Sequence, residues 1–299
     1  MSSSPEAVRK RKAEAAFERK RGNRAVFQDT VAQCSSDPAI MQVRCAHRSC
    51  FLPGWMPREA YPDVPGTGSI DVEILNKDCV SVAEHYCRIK GAKVWLLNMA
   101  AARKPGGGVM EGCNAQEEHL CRCSNLLSHL RLAEKDGNYP LHGGHGNVPD
   151  FSVLVHDNIV FFKNPKDYTT LPREEWFRGA GVLTAAAEKV RGGRHLGPNA
   201  ERFIDFLVDA AVKQECTHLV LSAWGCGAYR QCPHAVAACF RRTFAQLTHT
   251  NLQVTFAILD DHNSEDNLAA FQRAFQIKAG IANPLPADSD NKGKGQGKK

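Results

Sequence analysis

The sequence predicts an α/β domain with a largely parallel or mixed sheet. Short apolar runs alternate along the chain with longer segments whose apolar residues recur every three or four positions. One run, residues 93–99 (KVWLLNM), is continuously apolar, as a strand covered on both faces requires. The 299 residues are ample for one large core.

In chain order, residues 1–24 carry eight Lys/Arg against three Glu, a net charge of +5. They read as a polar helix or loose arm: a nuclear address, a weak polyanion contact or, more plainly, a solvated charged helix. Residues 152–156 and 159–162 are expected as two strands separated by Asp157-Asn158. Residues 180–185, 218–224 (HLVLSAW) and 253–259 (QVTFAIL) complete the expected strands, and 202–213, 234–247 and 267–275 are expected helices. Residues 136–150 are rich in Gly, Asn and Pro and read as a surface loop. Residues 286–299, a lysine- and glycine-rich end, are expected to be a disordered basic tail, which leaves 25–285 as the folded domain.

Composition narrows the function. No apolar run approaches the length of a bilayer span, and no apolar signal segment opens the chain, so an intracellular, cytoplasmic or nuclear location is expected. The twelve cysteines include no C-x-x-C pair and read mostly as small buried hydrophobes, not a metal site. The net charge of +6 lies in the two ends, which leaves residues 25–285 at −1, without the global basicity of a nucleic-acid-binding domain.

The informative stretch is 98–130. Gly106, Gly107 and Gly108 follow the apolar strand, and three consecutive glycines there suggest close approach of backbone N–H groups to phosphate or sugar. Seven residues later Gln116-Glu117-Glu118 opens a helix, with Leu120, Leu127 and Leu130 on its core face. Asn114 to Glu117 has capping-box form, so Glu117 reads equally as a helix cap, and Glu118 as a residue favoured by the positive end of the helix dipole. A second strand-to-loop segment, 219–233 (LVLSAWGCGAYRQCP), has a Gly-x-Gly turn and a proline suited to a first helical turn.

Both segments resemble the poly(ADP-ribose) glycohydrolases: a triple glycine, a short gap, Gln-Glu-Glu, then a strand ending in Trp-Gly-Cys-Gly followed by an aromatic residue. Pro105 before the glycines and an arginine soon after the glutamates resemble the microbial-type branch. The resemblance implies a macrodomain-like three-layer α/β/α fold with a mixed sheet, here with an N-terminal helical extension. It implies hydrolysis of ribose–ribose O-glycosidic bonds in poly(ADP-ribose) or on ADP-ribosylated proteins, with ADP-ribose as product, by a monomer needing no cofactor and no metal. Adjacent glutamates on one helix lie about 100° apart around its axis and cannot flank a bond as paired glycosidase carboxylates do. The resemblance therefore assigns Glu118 as general acid/base, competent as an acid mainly in the substrate complex, and Glu117 to the ribose hydroxyls. Asn98, Gly106, Gly107, Gly108, Val109 and Gln116 are expected to bind substrate. Gly225, Cys226, Gly227 and Ala228 would face the pyrophosphate, and Tyr229 would pack on the terminal ribose. Two departures stand out. Lys104 replaces a common Asn and is expected to alter a ribose contact. Cys232 replaces a capping residue and is expected to weaken a helix cap. A non-catalytic ADP-ribose-binding module and a mono-ADP-ribosyl hydrolase are the alternatives.

Overall fold

The computed structural model describes residues 5–41, 47–50, 70–142, 151–247, 251–260 and 266–276. The chain begins with a long helix, α1 (Pro5–Ser36), rich in Ala, Glu, Lys and Arg, which lose little freedom on becoming helical. The helix runs without a break across position 24, expected as the end of a separate arm, and its second half buries Asn23, Phe27 and Thr30. The expected tail 286–299 and most of the loop 136–150 lie outside the described residues.

The remaining elements are β1 (His47–Cys50), β2 (Asp71–Leu75), α2 (Cys79–Cys87), β3 (Val94–Met99), α3 (Gln116–Cys123), α4 (Leu126–Lys135), β4 (Ser152–His156), β5 (Ala180–Ala185), α5 (Ala200–Lys213), β6 (His218–Leu221), α6 (Pro233–Ala245), β7 (Gln253–Ala257) and α7 (Asn267–Ala274). Among the described residues the strands form one seven-stranded sheet in the order β1-β4-β5-β3-β6-β7-β2. The five strands from β5 to β2 are parallel, and β4 and β1 join antiparallel at one edge, so the sheet is mixed. Side chains on β3 alternate between two cores. Trp95 and Leu97 pack with α5, α6 and α7, whereas Val94 and Leu96 pack with α2, α3, α4 and Phe27 of α1. The result is the expected three-layer α/β/α arrangement with a helical extension.

Three expectations change. Residues 159–162 are not a strand: Phe161 exchanges two backbone hydrogen bonds with Phe177, while Phe162 and Lys163 both donate to the Cys123 carbonyl, so no ladder propagates. The helix opened by Gln116 stops at Cys123 instead of running on to Leu130. The Ser124 hydroxyl bonds the Leu120 carbonyl and the Leu126 amide, and the Asn125 side chain reaches Ile40 and Val160, which breaks the helix before α4. Strands β6 and β7 end short of 224 and 259. Cys232, as expected, caps α6 without a side-chain hydrogen bond, and Pro233 supplies the first turn.

A pair of histidines is buried on the β4 side. His129 and His156 lie with ring centroids 6.0 Å apart and nearly perpendicular. Burial pushes them down to about 4 and about 3, so both are neutral in the folded chain.

Candidate active site

The carboxyl ends of β3, β5 and β6 open into a cavity of about 170 Å³, the place where parallel sheets commonly receive ligands. Its walls are Met99–Ala101 at the end of β3, Ala115–Glu118 at the start of α3, Ala187 beyond β5, and Ala223, Trp224, Gly225, Gly227, Ala228 and Tyr229 after β6. The two predicted acids and most of the second predicted loop therefore meet in one pocket, although about a hundred residues separate them in sequence.

The acids are held by backbone. Glu117, 2% exposed, accepts from the Ala101 amide (2.8 Å), the Gly106 amide (3.1 Å) and the Asn98 side chain (3.4 Å). Glu118, 6% exposed, accepts from the Gly108 amide (2.8 Å) and the Ala115 amide (2.9 Å). Burial pushes the Glu117 carboxyl up to about 8, against the pull of the Ala101 amide and with a further push from the neighbouring Glu118 charge.

This corrects the expected capping box. The residue preceding α3 is Ala115, not Asn114, so the reach back to the cap amide is made by Glu118. Asn114 instead accepts from Arg122, whose buried guanidinium also bonds the Cys113 carbonyl and lies 5.2 Å from the centre of the Tyr168 ring. Arg122 thus ties the segment before the helix to the helix itself.

The triple glycine also works differently from the expectation. The Gly106 and Gly108 amides face the two glutamates, and the Gly107 amide bonds the Lys104 carbonyl, so none of the three is turned to a ligand. The glycines are required because the loop presses on the acids. Gly107 has φ +55°, and a Cβ there would stand 2.6 Å from Glu118 Oε1 and 3.1 Å from Glu117 Oε2. Gly106, at φ +74°, would meet Leu127 at 2.6 Å. Val109 is buried beneath the loop, away from the cavity lining. Asn98 is fully buried, bridging Glu117 and Thr184 under the cavity floor. Gln116 lines the cavity but spends its amide on β3, accepting from the Met99 amide at 2.8 Å and donating to the Leu97 carbonyl at 2.6 Å. Lys104 pairs with Glu111 on the surface, not with the cavity.

On the opposite wall, Gly225 takes φ +78°, and a Cβ there would crowd Ala187 at 2.9 Å. Cys226 turns into the core, where burial pushes its thiol up to about 12. Among the described residues the amides of Gly227 and Ala228 meet no backbone carbonyl, and both residues are exposed. The Tyr229 hydroxyl donates to the Ala100 carbonyl and accepts from the Ala102 amide, each at 3.3 Å, which joins the two loops and leaves its ring as cavity wall. Several contributors were not among the expected site residues. Ala101 acts only through its amide. Trp224 walls the cavity while its indole donates to the Ala185 carbonyl, and buried Gln231 braces the loop through Glu188 and Gly197. Among the described residues no group of three or more His, Cys, Asp or Glu is placed to hold a metal ion.

A family model described as microbial-type PARG, catalytic domain, matches residues 12–164, which takes in most of α1 and the whole glycine loop. A search of curated proteins finds no match. Among solved structures the chain is similar to the poly(ADP-ribose) glycohydrolase (PARG) of Thermomonospora curvata, at 23% identity and TM-score 0.64 over 85% of this chain and 99% of that one. A second structure of that protein, bound to the inhibitor ADP-HPD, matches at 23% identity and TM-score 0.60, covering 84% and 98%. The PARG of Deinococcus radiodurans in complex with ADP-ribose matches at 26% identity and TM-score 0.62, covering 80% and 98%. The family match spans half of the chain and contains the paired acids with their glycine loop, and so this chain belongs to the microbial-type PARG catalytic-domain family.

Proposed function

We propose that the chain hydrolyses the ribose–ribose O-glycosidic bonds of poly(ADP-ribose), releasing ADP-ribose, with Glu118 as general acid and base. The observation that carries this reading is the placement of Glu117 and Glu118 together on one wall of the cavity, each steadied by backbone amides. Relatives of this fold have been captured with ADP-ribose and with the inhibitor ADP-HPD.

The chemistry follows from one proton. The Glu118 carboxyl gives its proton to the leaving 2′-oxygen as the bond to the anomeric carbon breaks and an oxocarbenium-like centre forms. The resulting carboxylate then takes a proton from water, whose oxygen closes on that carbon, and Glu118 is restored. Glu117 already accepts three hydrogen bonds from the protein, which fills the acceptor sites of a protonated carboxyl and leaves its O–H to donate to a ribose hydroxyl. The exposed amides of Gly227 and Ala228 suit a pyrophosphate. The Tyr229 ring suits a ribose face, since its hydroxyl is engaged with the β3 loop.

Incubation of purified poly(ADP-ribose) with the protein and with its Glu118→Gln variant tests the proposal. The protein is expected to release free ADP-ribose, and the variant to lose at least about a hundredfold in rate, the usual scale of general acid–base catalysis. Near-normal release by the variant refutes the role of Glu118. Release from mono-ADP-ribosylated protein but not from polymer would replace the substrate.

A further inference from the structure

The active site leaves one strongly charged feature unused. Residues 7–22 of α1 are exposed apart from the partly covered Ala7 and Ala16, and residues 7–24 hold Arg9, Lys10, Arg11, Lys12, Arg19, Lys20, Arg21 and Arg24 against Glu14 and Glu18. Such a helix is polar all round and has no apolar face to bury: Val8 and Phe17 are 38% and 60% exposed. Among the described residues 7–24 the ion pair is Arg21–Glu18, on the surface. Like charges stand one turn apart at Arg9 and Lys12 and at Lys20 and Arg24, and repel until a counter-charge arrives.

This helix is fixed to the catalytic loop. Asn23 donates to the Gly112 carbonyl at 3.1 Å, and a Cβ at Gly112 would stand 2.2 Å from the Lys20 carbonyl oxygen. Gly112 lies between Gly108 and Ala115, whose amides hold Glu118. From Lys20 the helix leads away from the loop, which places Lys12 about 12 Å and Arg9 about 16 Å further along at 1.5 Å per residue. The basic turns thus begin beside the loop that holds the acid and extend outward from it.

We infer that the exposed basic face of α1 is a docking rail for the part of a poly(ADP-ribose) chain that lies outside the cavity. The inference rests on the glycohydrolase reading and adds to it a preference for long polymer. Every unit of that polymer carries a diphosphate, so a chain with one end in the cavity trails a line of negative charge. The body of the protein is close to neutral, at −1 over residues 25–285, and α1 is where the attraction concentrates. Nucleic acid offers similar charge. Polymer is favoured because the helix is seated on the loop that carries the proposed catalytic residue.

The test uses the full chain and the combined variant Arg9→Gln, Lys10→Gln, Arg11→Gln and Lys12→Gln, which keeps good helix formers at exposed positions. Initial rates of ADP-ribose release are measured on long polymer and on oligomers of two or three units, over a range of salt. The variant is expected to lose about tenfold in kcat/KM on long polymer at low salt, with a shallower salt slope, and nothing on short oligomers. Equal rates on both substrates, or an equal loss on both, overturns the inference. Tighter binding of duplex DNA than of polymer, abolished by the same variant, would make α1 a nucleic-acid arm and also overturns it. A parent chain that releases nothing from either substrate refutes the glycohydrolase reading instead, and polymer binding by parent and variant then still reports on the helix.

Discussion

At the scale of single residues, the glycine loop shows what motif spacing conveys and what it leaves out. Spacing picked out Glu117 and Glu118, yet it could not say that the glycine amides face the acids, because hydrogen-bond direction depends on a fold-back that no local pattern encodes. The same gap moved the capping residue by one place, from Glu117 to Glu118. Gly107 is the sharpest test. Gly107→Ala would cost about 1–2 kcal/mol for a side chain at positive φ and would push the Glu118 carboxylate aside. Activity on polymer is expected to fall at least about tenfold while the thermal midpoint moves by only a few degrees. A variant with full activity would show that the loop does not position the acid.

At the scale of elements, helices with a clear apolar stripe were legible to within about two residues. Those that rely on side-chain punctuation were not. α5 and α7 match their expected spans closely. β2 and α2 went unrecognised: β2 is a five-residue edge strand with mixed burial, and α2 mixes β-branched Val and Ser before its alanine. The break between α3 and α4 hangs on the Ser124 and Asn125 side chains bonding distant backbone. Along α1, charge concealed the point where the helix starts to pack. Phe27 is 4% exposed within the core shared by α2, α3 and α4, whereas Phe17 is 60% exposed. Phe27→Ala is expected to destabilise the protein by about 3–4 kcal/mol in chemical denaturation, and Phe17→Ala by less than about 0.5 kcal/mol. Equal effects would mean that the whole helix packs alike.

For the whole molecule, buried titratable groups set opposing limits on pH stability. Glu117 keeps a proton in the folded chain that an unfolded carboxyl gives up at about 4.3, so its contribution is complete below that pH and is lost as pH rises through about 8. His129 and His156 are neutral when folded and charge in the unfolded chain at about 6.5; their contribution is present above that pH and is lost as pH falls through about 4 and about 3. The thermal midpoint should therefore peak at mildly acidic pH and fall on both sides. In calorimetry Glu117→Gln should flatten the alkaline limb and His156→Leu the acid limb. An alkaline limb unchanged in Glu117→Gln would mean that the carboxyl is ionised in the folded chain. A sheet covered on both faces was legible in the continuous apolar run 93–99, whose Trp95 and Leu97 enter one core and Val94 and Leu96 the other, while the three-layer arrangement was read through the family likeness. The cavity was legible only through family likeness, since its walls come from segments distant in sequence. One consequence follows from the amides that clasp the acids. In the proposed reaction, water would have to turn its dipoles each time Glu118 gave up or regained its charge. The peptide groups of Gly108 and Ala115, pinned by chain geometry, already point at that carboxyl, so under this proposal little of the activation barrier goes into rearranging surroundings.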